Sequence, residues 1–265
     1  MATRNAPPGE VGLANAESFR VLGVAVGAVQ IADVVQVIRG WITSRDGCKC
    51  VAVTGMHGVT EAQRDPAFKQ ALNDADLVVP DGMPLVWLGR RSGFDLPRRV
   101  YGPDLLEKFC QDTGGEYRHF FYGGAPGVAD RLSRILQAGY GIQVAGTLSP
   151  PFHRLSSDES GQHVRRINAS HPDVLWVGLS TPKQEMWMNR HRPLLDVPVA
   201  VGVGAAFDFV SGIKRSAPGW MQERGLEWLF RLMSEPTRLW RRYLVGGSQF
   251  VYWLMLERLR LRDFG

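Results

Sequence analysis

The sequence predicts an α/β fold: a mainly parallel sheet with helices on both faces, followed by a C-terminal α-helical appendage. Three observations predict it. Short apolar runs alternate with longer segments whose apolar residues recur at helical spacing. The runs are apolar almost without a break, which suits strands covered on both faces. Beyond Pro218 the strand pattern stops and only helical segments remain.

Residues 1–18 read as a loose arm around Pro7-Pro8-Gly9. Val21–Val26 is the first strand candidate. Ile31–Ile42 follows as a helix, with Val34, Val35, Ile38 and Trp41 on one face. Cys50–Thr54 is the second strand, ended by Gly55. Val59–Leu72 reads as helical, interrupted near Pro66. Asp76–Gly82 is a short buried strand that stops at an acid and a glycine. Pro84–Leu88 opens the next helix, with proline in the first turn, where a missing N–H costs little. The alternation then repeats. Helices are expected over Leu105–Gly114, Val128–Ala138, Gln162–His171 and from Gln184 to Asn189. Strands are expected over His119–Tyr122, Ile142–Gly146, Asp173–Gly178 and Val197–Gly204. The succession reads as a Rossmann-like sheet. In the tail, Trp220–Met233 is helical, and Ser234-Glu235-Pro236 resembles an N-cap opening a second helix. Gly246-Gly247 breaks that helix, and Gln249–Leu261 forms a third. The chain thus divides into an arm (1–18), an α/β domain (19–219) and a helical, basic, membrane-proximal appendage (220–265).

Composition bounds the function classes. With 45% hydrophobic and 22% charged residues among 265, the chain is an ordinary globular one, large enough for a core without staples. A disordered chain, a collagen-like repeat and a disulfide scaffold are excluded. The formal net charge is +5, and residues 220–265 hold eight arginines against five acids. That concentration points to a charged ligand or an anionic surface at the tail, and away from nucleic-acid binding. Three cysteines make no even framework and fit a reducing cytoplasm. The N-terminus lacks the apolar run of a signal peptide. The uncharged run in the tail, Tyr243–Leu256, has 14 residues, against about 20 for a spanning helix. It could still lie on a membrane surface.

Ligands of open α/β sheets bind outside the carboxyl ends of the strands. Asp81 is the sharpest candidate there. Between an apolar strand and a helix start, a carboxylate would be partly desolvated and could act as a base, or it could simply cap the helix. Gly123 and Gly124 open a glycine-rich turn that could admit a diphosphate at the start of the next helix, or could be a tight strand–helix turn. Gly202 and Gly204 form only part of a dinucleotide fingerprint, with close backbone packing as the other reading. Asp74-Ala75-Asp76 precedes its strand, at the wrong edge of the sheet, and reads as a solvated turn. No His pair has zinc spacing on a helix, so no metal site is expected. In the tail, Arg231, Arg238, Arg241 and Arg242 fall near one helical face and could hold a diphosphate. Phe250, Val251, Trp253, Leu254 and Leu256, with Arg258, Arg260 and Arg262 behind them, resemble an interfacial anchor. The bland alternative is a helical pair packed on the domain or on another subunit.

Several strings together resemble the WecG/TagA/CpsF family of bacterial glycosyltransferases. They include Glu61–Pro66, Ala75–Pro84, Arg99–Asp104, Phe121–Gly124, Val177–Glu185, Gly202–Asp208, Arg215–Pro218 and Gly225–Arg231. The resemblance runs from about Val21 to about Leu244. It implies inverting transfer of a sugar from a UDP-sugar to a polyprenyl-diphosphate-linked acceptor at the cytoplasmic membrane face, with no cofactor and no required metal. The sugar would be N-acetylmannosamine, its uronic acid, glucose or similar, in cell-surface polysaccharide or exopolysaccharide synthesis. Asp81 matches the family's proposed general base. Thr54, Arg99 and Gln184 match pocket residues, and Arg231, Arg238 and Arg241 match tail arginines expected over the nucleotide diphosphate. Gly123, Gly124, Gly202, Gly204 and Asp208 complete the expected substrate-binding set. A pocket asparagine common in the family falls at Gly55, so its contact is missing or taken over by His57. That leaves the donor sugar open.

The chemistry agrees. Inversion is one displacement at the anomeric carbon, which needs one base and compensation of the charge on the departing UDP. Expected partners are the UDP-sugar, the lipid-linked acceptor, the cytoplasmic membrane surface and, in a homo-oligomer, further copies of the chain. Two rival readings remain: a nucleotide-cofactor-dependent oxidoreductase, from the glycine-rich strand ends, and a non-catalytic membrane adaptor, from the tail.

Overall fold

The computed structural model describes residues 17–153 and 155–264. The arm expected over residues 1–18 lies outside the described residues as far as residue 16. Ser18 already opens a strand.

The elements follow the expected alternation. The first is a hairpin of β1 (Ser18–Val21) and β2 (Val24–Gly27), paired antiparallel. Then come α1 (Ile31–Ser44), β3 (Lys49–Thr54), α2 (Met56–Ala62), α3 (Pro66–Asn73), β4 (Leu77–Pro80) and α4 (Met83–Arg91). They are followed by α5 (Gly102–Thr113), β5 (Arg118–Gly123), α6 (Val128–Tyr140), β6 (Gln143–Leu148), α7 (Ser157–Ala169) and β7 (Val174–Gly178). The series ends with α8 (Lys183–His191), β8 (Val199–Gly202), α9 (Ala206–Val210), α10 (Gly219–Glu223), α11 (Glu227–Ser234), α12 (Pro236–Trp240) and α13 (Gly246–Arg258).

The strands β3 to β8 form one six-stranded sheet in the order β4-β3-β8-β7-β5-β6, and all its pairs are parallel. All six strand C-termini therefore share one edge. Successive side chains face opposite sides, and both sides are buried. Val51, Val53, Phe121, Trp176 and Val201 pack with α1, α5, α6 and α9. Cys50, Phe120, Tyr122, Leu175, Val177 and Ala200 pack toward α7 and α8. Ala52 and Val78 meet the hairpin, α2, α3, α4 and Phe250 of α13.

Five local expectations change, the simplest being Trp220–Met233, which divides at Gly225 (φ 70°) into α10 and α11. Val21–Val26 is not one strand. Leu22 and Gly23 both have positive φ, 50° and 77°, which is the two-residue turn that matches strand twist. Leu22 is fully buried, so its apolar character disguised the turn. The helix expected from Gln162 starts at Ser157. Ser156 accepts from the Glu159 N–H and Glu159 returns the bond, a capping box legible as Ser-x-x-Glu. Gly246-Gly247 does not break the tail helix. A π turn, Arg241–Val245, runs directly into α13. Gly246 is buried against Thr60 of α2, so small residues serve contact there instead of termination. Finally, Asp76 is not in a solvated turn. At the N-terminal edge of the sheet it accepts from the Cys50 N–H at 2.8 Å and pairs with Arg192 at 2.9 Å.

The three cysteines are buried and unpaired. Among the described residues no helix is long and apolar enough to cross a membrane.

Candidate active site

The C-terminal edge of the sheet gathers the polar residues expected there. β4 ends at Pro80, and the Asp81 N–H donates to the Thr54 carbonyl at 2.8 Å. The chain then turns through Gly82, at φ +116°, into α4. Asp81 does not cap that helix: Gly82 occupies the cap position and no side chain bonds there. The capping alternative therefore falls. Among the described residues, no cation lies within 4.0 Å of the Asp81 carboxylate.

Its surroundings are nonetheless charged. Arg99, Arg231 and Arg242 converge on Asp81 with Glu227, three guanidiniums against two carboxylates. Burial pushes the Asp81 carboxyl up. Glu227 pushes the same way, and the three arginines oppose both. A carboxyl raised in this way is a better base than an exposed one, because its conjugate acid holds the proton more tightly.

Glu227 organises two of the arginines. Its side chain is 9% exposed and pairs with Arg99, itself 13% exposed. It also lies 3.6 Å from Arg231, one turn along α11. Arg99 donates further to Gln222 at 3.1 Å and lies 4.1 Å from the Tyr101 ring centroid. Arg231 lies 4.7 Å from the Phe209 ring centroid. The first tail helices are thus fastened to the α/β part at the candidate base.

Thr54 ends β3 and is buried, its hydroxyl without a partner. Gly55 follows it. A Cβ at Gly55 would collide with the backbone carbonyl of Asp81, so this position is a close approach that only glycine permits. The position of the expected asparagine is thus a close contact between the start of α2 and the Asp81 backbone. His57, in the first turn of α2, is mostly buried, and its Nδ1 is 3.9 Å from Glu61. Burial, reinforced by Arg242 and Arg64, drives its pKa down to about 3. His57 is neutral at physiological pH, so it can offer a hydrogen bond but not a charge.

Gln184 is buried in the first turn of α8 and donates to Glu185 at 3.0 Å. Its side chain packs beside Gly202 and Gly204. Gln184 Oε1 and Glu185 Oε2 are buried without partners. Burial raises the Glu185 carboxyl against a hydrogen bond from Thr181 at 2.7 Å.

Next to this cluster, along β8, β7 and β5, lies a groove of about 1050 Å³. Gly124, Gly204, Asp208 and Arg238 line it. Asp208 is already paired with Lys214 at 3.1 Å. Gly123 lies behind it. At φ +133° it presses on Gly178, where a Cβ would approach the Gly178 Cα to 2.8 Å. The Gly124 N–H donates to the Gly178 carbonyl at 3.0 Å. The glycine turn therefore secures adjacent strands, and its first amides are already used.

The tail arginines do not share one face. Glu235, at φ −136° and ψ 62°, interrupts the helix between Arg231 and Arg238, and the π turn shifts the phase again. Arg238 is 58% exposed and paired with Glu235. Arg241 points outward, 5.2 Å from the Trp240 ring centroid. Arg242 turns inward instead. The anchor is likewise redistributed. Phe250 is buried, and Trp253, Leu254 and Leu256 pack beside it against the core. Val251, Tyr252, Met255, Leu259 and Leu261 are the exposed apolar residues.

Sequence reading left Tyr101, Glu185 and Glu227 out of the site, although each lies inside a string that carried the resemblance. Arg242 was placed on the arginine face but not in the pocket. Only three-dimensional packing marks them out: Tyr101, Glu227 and Arg242 around Asp81, and Glu185 beside Gln184.

The Glycosyl transferase WecG/TagA/CpsF family model matches residues 19–264. The N-acetylglucosaminyldiphosphoundecaprenol N-acetyl-beta-D-mannosaminyltransferase of Bacillus spizizenii is 34% identical over 186 residues, covering 69% of this chain and 70% of that protein. The Bacillus subtilis protein of the same name is 29% identical over 185 residues, with the same two shares. A family match across the whole sheet and tail, with a carboxylate held free among arginines at the strand ends, leads to one conclusion: the chain belongs to the WecG/TagA/CpsF family and is a glycosyltransferase.

Proposed function

We propose that the protein transfers an N-acetylmannosamine-type sugar, with inversion, from a UDP-sugar to a hydroxyl of a polyprenyl-diphosphate-linked saccharide. The observation that carries this reading is Asp81, a raised carboxylate without an ion-pair partner among three guanidiniums at the strand ends. The groove along β5, β7 and β8 takes the nucleotide, and the acceptor approaches from the Asp81 side. The acceptor oxygen attacks the anomeric carbon as the bond to the diphosphate oxygen breaks. Asp81 takes the hydroxyl proton, UDP departs, and the guanidiniums offset its charge. The relatives' names support the sugar and the lipid diphosphate.

Thermal shift tests the donor. A ligand bound by the native state raises the melting temperature, by an amount equivalent to about 2.7 kcal/mol at a hundredfold excess over Kd. UDP and UDP-N-acetylmannosamine are expected to stabilise the protein, and NADH is not. Stabilisation by NADH alone would return the oxidoreductase reading.

The acceptor reading brings the protein to the cytoplasmic face of a membrane as a peripheral enzyme. The outward face of α13 supports this, with Val251, Tyr252 and Met255 each more than half exposed and Arg258 nearby. Such a face binds through apolar burial and attraction to anionic lipid. Flotation with anionic liposomes checks it: replacing Val251, Tyr252 and Met255 by Ser should release the protein. Undiminished flotation of that variant would remove α13 from the membrane role.

A further inference from the structure

Gln184 and Glu185 stand side by side in the first turn of α8, and both are almost fully buried, at 1% and 2% exposure. Glu185 has no ion pair within 4.0 Å among the described residues. Its Oε1 instead accepts twice, from the Gln184 Nε2–H at 3.0 Å and from the Thr181 hydroxyl at 2.7 Å. Its Oε2 is buried without a partner. A carboxyl group kept out of water without a cation is costly. That cost is matched by a constraint on its neighbour.

A glutamine amide presents an oxygen at one end and an NH2 at the other. Turning the Gln184 amide over would set its oxygen against Glu185 Oε1, two acceptors at the distance the hydrogen bond now spans. Glu185 therefore decides which end faces it. The NH2 turns inward, and the amide oxygen is left on the other side, buried without a partner. That side is the Gly204 side. A Cβ at Gly204 would come 3.5 Å from Gln184 Oε1 and 3.8 Å from Nε2, and Gly204 lines the groove. Gly202 makes room for the amide, since a Cβ there would come 3.1 Å from Nε2. Burial raises the Glu185 carboxyl, but a proton on the unpartnered Oε2 leaves Oε1 accepting both bonds. The constraint holds in either state. A buried acceptor without a bond is completed by a donor that arrives from outside. We propose that Glu185 is a positioning residue that locks the Gln184 amide, so that Gln184 meets the substrate as a hydrogen-bond acceptor and selects a donor group. Only the identity of that donor, a hydroxyl or N-acetyl N–H of the transferred sugar, rests on the function proposed above.

Calorimetric titration with UDP and with UDP-N-acetylmannosamine tests this on the full-length chain. The variants are Glu185→Leu, Glu185→Gln, Gln184→Met and the double Gln184→Met with Glu185→Leu. Glu185→Leu fills the space but offers no acceptor, and should weaken the sugar nucleotide by about tenfold while UDP stays within twofold. Glu185→Gln keeps an oxygen in place and should recover most of the loss. Glu185 acts through Gln184, so the double variant should bind no more weakly than Gln184→Met alone. The lock is overturned if Glu185→Leu holds the sugar nucleotide within twofold, or weakens UDP equally. It is overturned too if Glu185→Gln loses as much as Glu185→Leu, or if the two single losses add in the double. A wild type that does not bind the sugar nucleotide sinks the donor reading and leaves the lock to be scored on the Gln184 side-chain amide. Its NMR signal, assigned by its absence in Gln184→Met, should exchange with solvent faster in Glu185→Leu than in the wild type. Equal exchange rates would then overturn the lock. Should Glu185→Leu fail to fold, Glu185→Met decides on the same readouts.

Discussion

Asp81→Asn lowers turnover by about 10²–10⁴-fold, the usual range for removing a general base, while UDP still binds. Its fold does not suffer. Asp81 caps no helix and holds no ion pair within 4.0 Å among the described residues, so the amide breaks no bond of the native state. The sign of the stability change follows from the direction of its pKa. Burial, then Glu227, raises the carboxyl on folding, against the arginines. The folded chain then binds a proton more tightly than the unfolded one. Stability declines as pH rises from the unfolded carboxyl range to the raised native value, and stays low above it. Asparagine abolishes that decline, so at neutral pH the variant melts at the same or a higher temperature. In the wild type, activity rises with pH as Asp81 ionises, along a limb displaced above the ordinary carboxylate range. Steady-state rates across pH and a melting curve of the variant measure all of this. Full activity in Asp81→Asn, or a sharply lowered melting temperature, would remove Asp81 from the base role.

Glu227→Gln is expected to strike stability and chemistry together. Arg99 and Glu227 are both buried, and removing one partner of a buried ion pair costs about 3–5 kcal/mol, because the other charge is left uncompensated. Gln222 remains on Arg99 and moderates the loss. Arg231 loses its partner as well. The kinetic effect separates positioning from mere scaffolding. Glu227 holds Asp81 upward, so its removal leaves the three guanidiniums less opposed. The acid limb of the pH–rate profile should move to lower pH, even as kcat falls through loss of the arginine geometry. Glu227→Asp, which keeps the charge on a shorter arm, should restore part of both. Denaturant melts and pH profiles of the two variants decide. An unmoved limb with an unchanged melting midpoint would show that Glu227 neither holds the tail nor tunes the base.

These expectations rest on a mixture of legible and hidden features. The sheet was legible because its strands are buried on both faces. Runs such as Val174–Val177 leave no polar side chain to confuse the period, and strands end at Thr54 and Gly178 as read and at Pro80, directly before Asp81. The C-terminal edge is then fixed by parallel pairing alone, which put Asp81 on the ligand side and Asp76 on the other. Signals present but unread include Ser156-x-x-Glu159 and Leu22-Gly23, the second masked because an apolar residue sits in the turn.

The tail shows where reading along the chain stops. A helical-wheel argument assumes one continuous phase, which the extended Glu235 and the π turn at Arg241–Val245 both break. Arg241 and Arg242, expected near one face, part for that reason, Arg241 outward and Arg242 inward, and Phe250 turns into the core while Tyr252 turns out.

The sequence by itself determined the α/β class, the membership strings and the edge on which Asp81 stands, since these depend on short periods and local end signals. Only the tertiary structure decided which charges meet. Glu227 reaches Arg99 across more than a hundred residues, and Arg242 reaches Asp81 across more than a hundred and fifty. Partnership at that separation depends on helix phase and packing against the sheet. No local pattern encodes it. It separates Arg99, Arg231 and Arg238, which Glu227 and Glu235 hold, from Arg241 and Arg242, which have no ion pair within 4.0 Å among the described residues.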